Sequence, residues 1–396
     1  MKLKFVHFTI DDKFIDDSVK CFETANLTEN VFYCLKKISC SFEYIKSSKV
    51  KQIRIEEAES IIDNLSNFDI VILHSLYAIP ADLICKIPSK NKVVWYAWGF
   101  DLYGNPYPIK PLIQIPRSKL MPRTSRIFNS GYLTLKRLKS MLKHHLIRDQ
   151  YSSSSAQKMH EAIQRINYFS GVFPVEHEML ISQCPDYRGK IITHNYIHPE
   201  EFNASDINEK ATSLGNNIIL GNSASFYCNH IDLLYALYNQ THKRDMKIYC
   251  PLSYAGRSFY IKKVIKKGKE LFGDNFIPLL DYMPFDEYSK IIQSCNCMIL
   301  GYYYQAATCN CLTSIWNGVK LFLPKDSMNY IEYKDVEGLE VYSIEDDLND
   351  HNLENVVIND VKKQRVKISE RYSFERWKAD LQASICTIQK DCEGNA

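Results

Sequence analysis

The chain has 396 residues, 45% hydrophobic and 24% charged; at roughly 100–200 residues per domain that is length for two or three cores. With 49 basic against 46 acidic side chains the formal net charge is +3, so the molecule as a whole is no acidic tail and no basic nucleic-acid clamp. Tyr 26 and Phe 19 against Gly 14 and Pro 14 exclude disordered, collagenous and low-complexity sequence.

The longest apolar runs, such as Ile70-Val71-Ile72-Leu73, have the length of a strand and fall far below the ~20 residues that cross a bilayer. The opening stretch Met1–Ile10 is met at once by Asp11 and Asp12, so it reads as a first buried strand rather than a signal peptide. The 13 cysteines show no framework spacing. Cys295/Cys297 and Cys309/Cys311 lie in apolar patterns without nearby ligands, which assigns them to core packing, not metal, and the chain to a reducing cytosol.

Strand and helix signals alternate along the first half. A strand at Phe5–Thr9 precedes a helix at Phe14–Thr24, and a helix at Glu56–Leu65 runs into a strand at Asp69–His74. A short helix at Ala81–Ile87 and a strand at Lys92–Trp98 follow. Strands near Ile166–Phe169 and Lys190–His194 flank a helix at Val175–Gln183. This is the βαβ rhythm of a parallel sheet. The polar stretch Pro199–Asn217 reads as a linker.

The rhythm then restarts. Strands at Ile218–Leu220, Met246–Cys250, Phe276–Asp281, Met298–Tyr302 and Val319–Leu323 alternate with helices at His230–Leu237 and Phe259–Leu271, one opening at Pro284, and one over Asn310–Trp316. A tail helix over Val366–Ile388 closes the chain. The expectation is α/β: two doubly wound Rossmann-like domains facing a cleft. Residues 1–200 would form the first, with a basic segment at 105–148; residues 201–365 the second; residues 366–396 the closing helix.

In such sheets ligands sit at the carboxyl ends of strands, where helix N-termini offer free N–H groups. Three strand-to-helix loops stand out. Gly221-Asn222-Ser223-Ala224-Ser225 has small residues that let a phosphate approach and hydroxyls that donate to it, although the same residues make an ordinary turn and helix cap. It matches neither Gly-x-Gly-x-x-Gly nor a P-loop. Trp98–Gly104 places Asp101 among aromatic residues; such a carboxylate fixes sugar hydroxyls or acts as a base, or else holds the N–H groups of its own turn. Tyr302–Asn310 carries three consecutive tyrosines, a wall for a base or sugar or simply half-buried strand residues. His74 ends an apolar strand, a place where a structural histidine is also common.

Between Lys110 and Arg148 lie ten Lys or Arg and no acid. The first part is proline-rich and extended. The second, Tyr132–Ile147, is amphipathic, with Leu135, Leu138, Leu142 and Leu146 on one face and Lys136, Lys139 and Lys143 opposite. That combination suits an anionic membrane surface. A surface helix with a solvated basic face has the same pattern, and nucleic acid lacks the stacking platforms it would need here.

These residues carry a resemblance. His74, Trp95, Trp98-Gly99 with Asp101-Leu102-Tyr103, Gly221-Asn222-Ser223 with Asn229-His230, Pro251, Tyr254, Phe285-Asp286 with Tyr288, Gln305 and Gly318 follow the order and spacing of a bacterial family. The sequence resembles the TDP-N-acetylfucosamine:lipid II N-acetylfucosaminyltransferases, glycosyltransferase family 56, over most of residues 60–330. Where the family carries an Arg before the Gln at Gln305, this chain has Tyr304. Where it carries a Gly two residues after, this chain has Ala307.

The resemblance implies a GT-B enzyme whose second domain holds a dTDP- or UDP-linked sugar and whose first holds an undecaprenyl-diphosphate-linked glycan. Helix N-termini and hydroxyls, with no obligatory metal or cofactor, would stabilise the leaving diphosphate. Gly221, Asn222 and Ser223 would contact it, with Tyr254, Gln305 and Asn310 lining the donor pocket and Arg257 the nearest cation. Asp101 and His74 would face the acceptor, Asp101 as base if the reaction inverts. The chain would sit on the inner face of the cell membrane through Lys110–Arg148, transferring a deoxyamino sugar or related hexose. A nucleotide-sugar epimerase of like fold and a non-catalytic membrane- or sugar-binding module are the alternative classes.

Overall fold

The computed structural model describes residues 2–36, 39–103, 121–132, 156–194, 207, 215–240, 246–354 and 360–393. They fall into two compact units. The first takes the described residues up to Tyr103, those of 156–194, and the tail from Tyr372; the second takes 121–132 and the residues from 207 to Arg371.

The first unit is a seven-stranded parallel sheet. Its strands are β1 (Lys4–Thr9), β2 (Glu29–Leu35), β3 (Val50–Ile53), β4 (Ile70–His74), β5 (Lys92–Tyr96), β6 (Tyr168–Ser170) and β7 (Lys190–Ile191), in the order β3-β2-β1-β4-β5-β6-β7. β4 is buried along its whole length, as its unbroken apolar run requires of a strand covered on both faces. β1 lies between β2 and β4, with Thr9 beside His74 at the carboxyl end. The core gathers Phe5, Phe22, Phe32, Val94 and Tyr96.

The second unit repeats the plan with six parallel strands. These are β8 (Asn217–Leu220), β9 (Ile248–Pro251), β10 (Phe276–Leu279), β11 (Cys295–Ile299), β12 (Lys320–Leu323) and β13 (Tyr342–Ser343), in the order β10-β9-β8-β11-β12-β13. Leu220 pairs with Ile299 at the carboxyl ends of β8 and β11. Cys295 and Cys297 are buried in β11, as core packing requires.

Three features depart from the sequence reading. β2 and β3 replace what reads as featureless chain between residues 26 and 54. β11 ends at Ile299 rather than Tyr302, so the tyrosines belong to the loop that follows it. The tail is two helices, Val361–Tyr372 and Phe374–Glu393. Ser373 parts them, its Oγ accepting the Arg376 N–H at 3.2 Å, an N-cap that starts the second helix. Trp377, Leu381 and Ile388 of that helix belong to the first unit's core.

The basic segment is divided as well. Its part at 121–132 forms a helix, Pro122–Tyr132, and Ile127 and Phe128 pack on the second unit's core rather than the first. The rest of Lys110–Arg148, including the amphipathic stretch beyond Tyr132, lies outside the described residues, as does most of the linker expected at Pro199–Asn217.

Candidate active site

In the second sheet the strand order reverses between β8 and β11, the place where doubly wound folds bind ligands. The Gly221–Ser225 loop leaves β8 there and the Leu300–Ala307 loop leaves β11. Gly221 has φ +82°, and a Cβ on it would lie 2.6 Å from His230 Nε2, so both conformation and space require glycine. Its N–H donates to the Ile299 carbonyl at 2.9 Å. Asn222 Nδ2 donates to the Tyr254 hydroxyl at 3.3 Å, and the Ala224 N–H to the Tyr254 carbonyl at 2.9 Å. Buried Asn222 Oδ1 has no hydrogen-bond partner among the described residues.

The facing loop is held as closely. The hydroxyls of Ser223 and Tyr302 meet at 2.9 Å, and burial holds the Tyr302 phenol well above its ordinary pKa, so it keeps its proton. The Tyr304 ring packs edge-on against Tyr227 and Tyr302. Gln305 Nε2 donates to Thr308 Oγ1 at 2.6 Å. Asn329 clasps the backbone of Ala306 through both its amide atoms. Ala307 then takes a left-handed conformation, φ +57°, and the helix Thr308–Trp316 begins with its first N–H groups at the end of the loop. Asn310 is half-buried in its first turn. Arg257 is exposed at the N-cap of the helix Ser258–Phe272.

In the first unit Asp101 is buried at the carboxyl end of the sheet. Its Oδ1 accepts from the Ser75 hydroxyl at 2.7 Å. Its Oδ2 accepts from Trp95 Nε1 at 3.1 Å and from the N–H groups of Trp98 at 3.0 Å and Leu76 at 3.3 Å. Burial pushes its pKa up to about 6 against the pull of these donors. Ser75 has φ 128°, a strained backbone, and Asp101 holds that turn through the Ser75 side chain. His74 is buried with its Nε2 2.9 Å from His7 Nδ1; desolvation keeps it neutral. His194 stacks on Tyr96 at 3.7 Å. Outside this core, the exposed Phe100 ring lies alongside Trp98 and Tyr77.

The family described as 4-alpha-L-fucosyltransferase, glycosyl transferase group 56, matches residues 183–384. The chain belongs to that family. Its fold is GT-B, shared at low identity with solved structures. The apo lipopolysaccharide outer core galactosyltransferase WaaB aligns at TM-score 0.58 and 12% identity, covering 98% of this chain and 99% of that one. A glycosyltransferase from Rickettsia africae ESF-5 aligns at 0.61 and 10%, covering 98% and 99%. An E. coli trehalose-6-phosphate protein bound with UDP-2-fluoro glucose aligns at 0.59 and 8%, covering 97% and 98%.

For a group 56 glycosyltransferase the placement of the expected residues is uneven. Asn222 bonds Tyr254, while Gly221 and Ser223 of the same loop bond Ile299 and Tyr302 across the reversal point, and Gln305 and Asn310 flank the start of the helix there. Asp101 is buried with both its oxygens engaged by donors, and it braces the loops after β4 and β5. His74 is likewise a core residue, paired with His7. Sequence reasoning passed over Tyr302 as a residue in its own right, gave no role to Asn229, whose side chain donates to the Gly301 carbonyl, and missed Asn329, which no local pattern betrays. It also passed over Glu176, bonded to the Tyr103 hydroxyl and the Phe173 N–H and pushed by burial up to about 7. An acid in the first turn after Pro174 was its signal.

Proposed function

We propose that this glycosyltransferase moves a deoxyamino sugar, or a related hexose, from a dTDP or UDP donor to a lipid-linked or polysaccharide acceptor in bacterial surface-glycan synthesis. The observation that carries the donor side is the Ser223–Tyr302 contact beside Gly221 and Asn222. It gathers hydroxyls, an unpartnered Asn222 oxygen that suits an N–H or hydroxyl of the nucleoside or sugar, and the start of the Thr308–Trp316 helix at the reversal point of one sheet. Those groups suit a nucleoside diphosphate.

In the transfer, the bond from the sugar's anomeric carbon to the diphosphate oxygen breaks and one to an acceptor hydroxyl oxygen forms. The nucleoside diphosphate leaves with the bonding pair, and the acceptor's proton is lost. The N–H groups at the helix start and the un-ionised hydroxyls favour the charge that develops on the leaving diphosphate. Arg257 is the cation proposed to reach it. On the acceptor side, the Phe100 face with Trp98 and Tyr77 suits stacking on a sugar ring, and Asp101 sets the loops that carry it.

Membrane association belongs to the same proposal. None of the described helices is long and apolar enough to cross a bilayer, and the run of ten Lys or Arg without an acid suits peripheral attachment to an anionic cytoplasmic leaflet. The test is thermal denaturation with dTDP, UDP, GDP and their sugars, since a ligand of the folded state raises its melting temperature. A shift with dTDP or UDP, followed by sugar transfer to an undecaprenyl-diphosphate glycan, is the expected result. No shift with any nucleotide would overturn the donor site.

A further inference from the structure

We infer that Asn229 is a positioning residue that couples the helix Pro122–Tyr132 to the Leu300–Ala307 loop, so that the seating of this helix sets nucleotide affinity; the last clause rests on the donor site proposed above. Asn229 is buried, with φ +54°. Its Oδ1 accepts the Met121 N–H at 2.8 Å, on the residue that opens the helix. Its Nδ2 donates to the Gly301 carbonyl at 2.7 Å and to the Tyr227 carbonyl at 3.1 Å. One side-chain amide thus holds the helix, the loop after β8 and the loop after β11 through its oxygen and both its N–H groups.

The neighbours make the link stiff. A Cβ on Gly301 would lie 2.4 Å from the Cys228 carbonyl oxygen, so the two loops touch backbone to backbone. Gly301 leads directly to Tyr302, whose hydroxyl meets Ser223. On the other side, Asp232 accepts the N–H groups of Arg123 at 3.0 Å and Thr124 at 2.7 Å, placing a carboxylate at the positive end of the helix. The Asp232 N–H in turn donates to the Asn229 carbonyl at 3.0 Å, so both anchors stand on one turn. Below them Phe128 meets Phe226 edge-on at 5.0 Å, and the Arg123 guanidinium lies 4.3 Å from the Tyr235 ring centre. A shift of the helix is therefore passed by hydrogen bonds to the loop bearing Tyr302 and Gln305, and by linkage a nucleotide bound there steadies the helix.

The experiment is amide hydrogen exchange on the full chain, with dTDP and UDP affinity measured alongside. Asp232→Ala frees the helix start without touching Gly301 or the Gly221–Ser223 loop. The expected result is faster exchange at residues 121–128 and also at Leu300–Ala307, with a Kd raised about fivefold. Asn229→Asp, which still accepts from Met121 but sets oxygen against the Gly301 carbonyl, is expected to speed Leu300–Ala307 further. If Asp232→Ala lacks the wild-type circular dichroism, Asp232→Asn carries the same measurement. Faster exchange in the helix alone, with Leu300–Ala307 as in wild type, overturns the coupling. Coupled exchange in a wild-type protein that binds neither nucleotide upholds the coupling and overturns the donor reading instead.

Discussion

Ser223 and Tyr302 face each other across the point where the second sheet reverses its strand order, hydroxyl to hydroxyl at 2.9 Å. They close the carboxyl ends of β8 and β11 with a bond that both strands' loops need. Ser223→Ala leaves the buried Tyr302 hydroxyl without this partner, at a cost of about 1–3 kcal/mol. The expected outcome is a lower melting temperature and a larger loss in dTDP- or UDP-induced stabilisation, read by thermal denaturation with and without nucleotide.

Gly221 admits no side chain. With φ +82° and a Cβ position 2.6 Å from His230 Nε2, Gly221→Ala must displace the loop or the imidazole, at about 2 kcal/mol or more. Nucleotide binding, measured by calorimetry, is expected to fall below detection while the far-UV circular dichroism stays native.

Ala307 is the reverse case. It occupies a left-handed conformation, φ +57°, that is costly for any residue with a Cβ. Ala307→Gly is expected to stabilise the protein by about 1 kcal/mol. Chemical denaturation would show it as a higher midpoint with an unchanged slope.

Asp101 separates a positioning role from a catalytic one. Asp101→Asn keeps an oxygen for the three N–H donors and turns its amide toward the Ser75 hydroxyl, so turnover should stay within a few-fold of wild type. Loss of a general base would cost about 10²–10⁴. Asp101→Ala strands four donors and should cost about 3 kcal/mol of stability. Steady-state rates and melting curves of the two variants decide it.

The pH dependence of stability follows from the buried groups. His7, His194 and His230 are held down to about 3 by burial, and His74 is also lowered. The unfolded chain binds protons on them below about pH 6.5, so each removes stability at about 1.4 kcal/mol per pH unit as pH falls. Asp101 and Glu176, raised to about 6 and 7, act oppositely: their stabilisation is full at low pH and lost as pH rises through those values. Four imidazoles outweigh two carboxyls. The melting temperature is expected to fall steadily from pH 6.5 to 5, and a flat profile there would contradict the burial of the histidines.

Much of this was written locally. Apolar runs such as Ile70–Leu73 can be satisfied only as buried parallel strands, and Gly221-Asn222-Ser223 after Ile218–Leu220 marks a ligand loop by residue type alone. β2 and β3 were not legible, because Glu29, Asn30, Lys51 and Gln52 break the alternation that signals a strand. Asn30 is in place because its Oδ1 lies 3.2 Å from His7 Nε2 across the sheet, a partner that no local pattern supplies.

Tertiary structure alone decided which unit the helix Pro122–Tyr132 joins and which donors Asp101 engages. Sequence fixes periodicity and residue chemistry within a window of a few turns. It does not say that Asn229 and Asp232 will cap a helix more than a hundred residues earlier, or that four donors will converge on one carboxylate. Those outcomes depend on which long-range contacts satisfy buried polar groups, and only the folded chain brings the partners together.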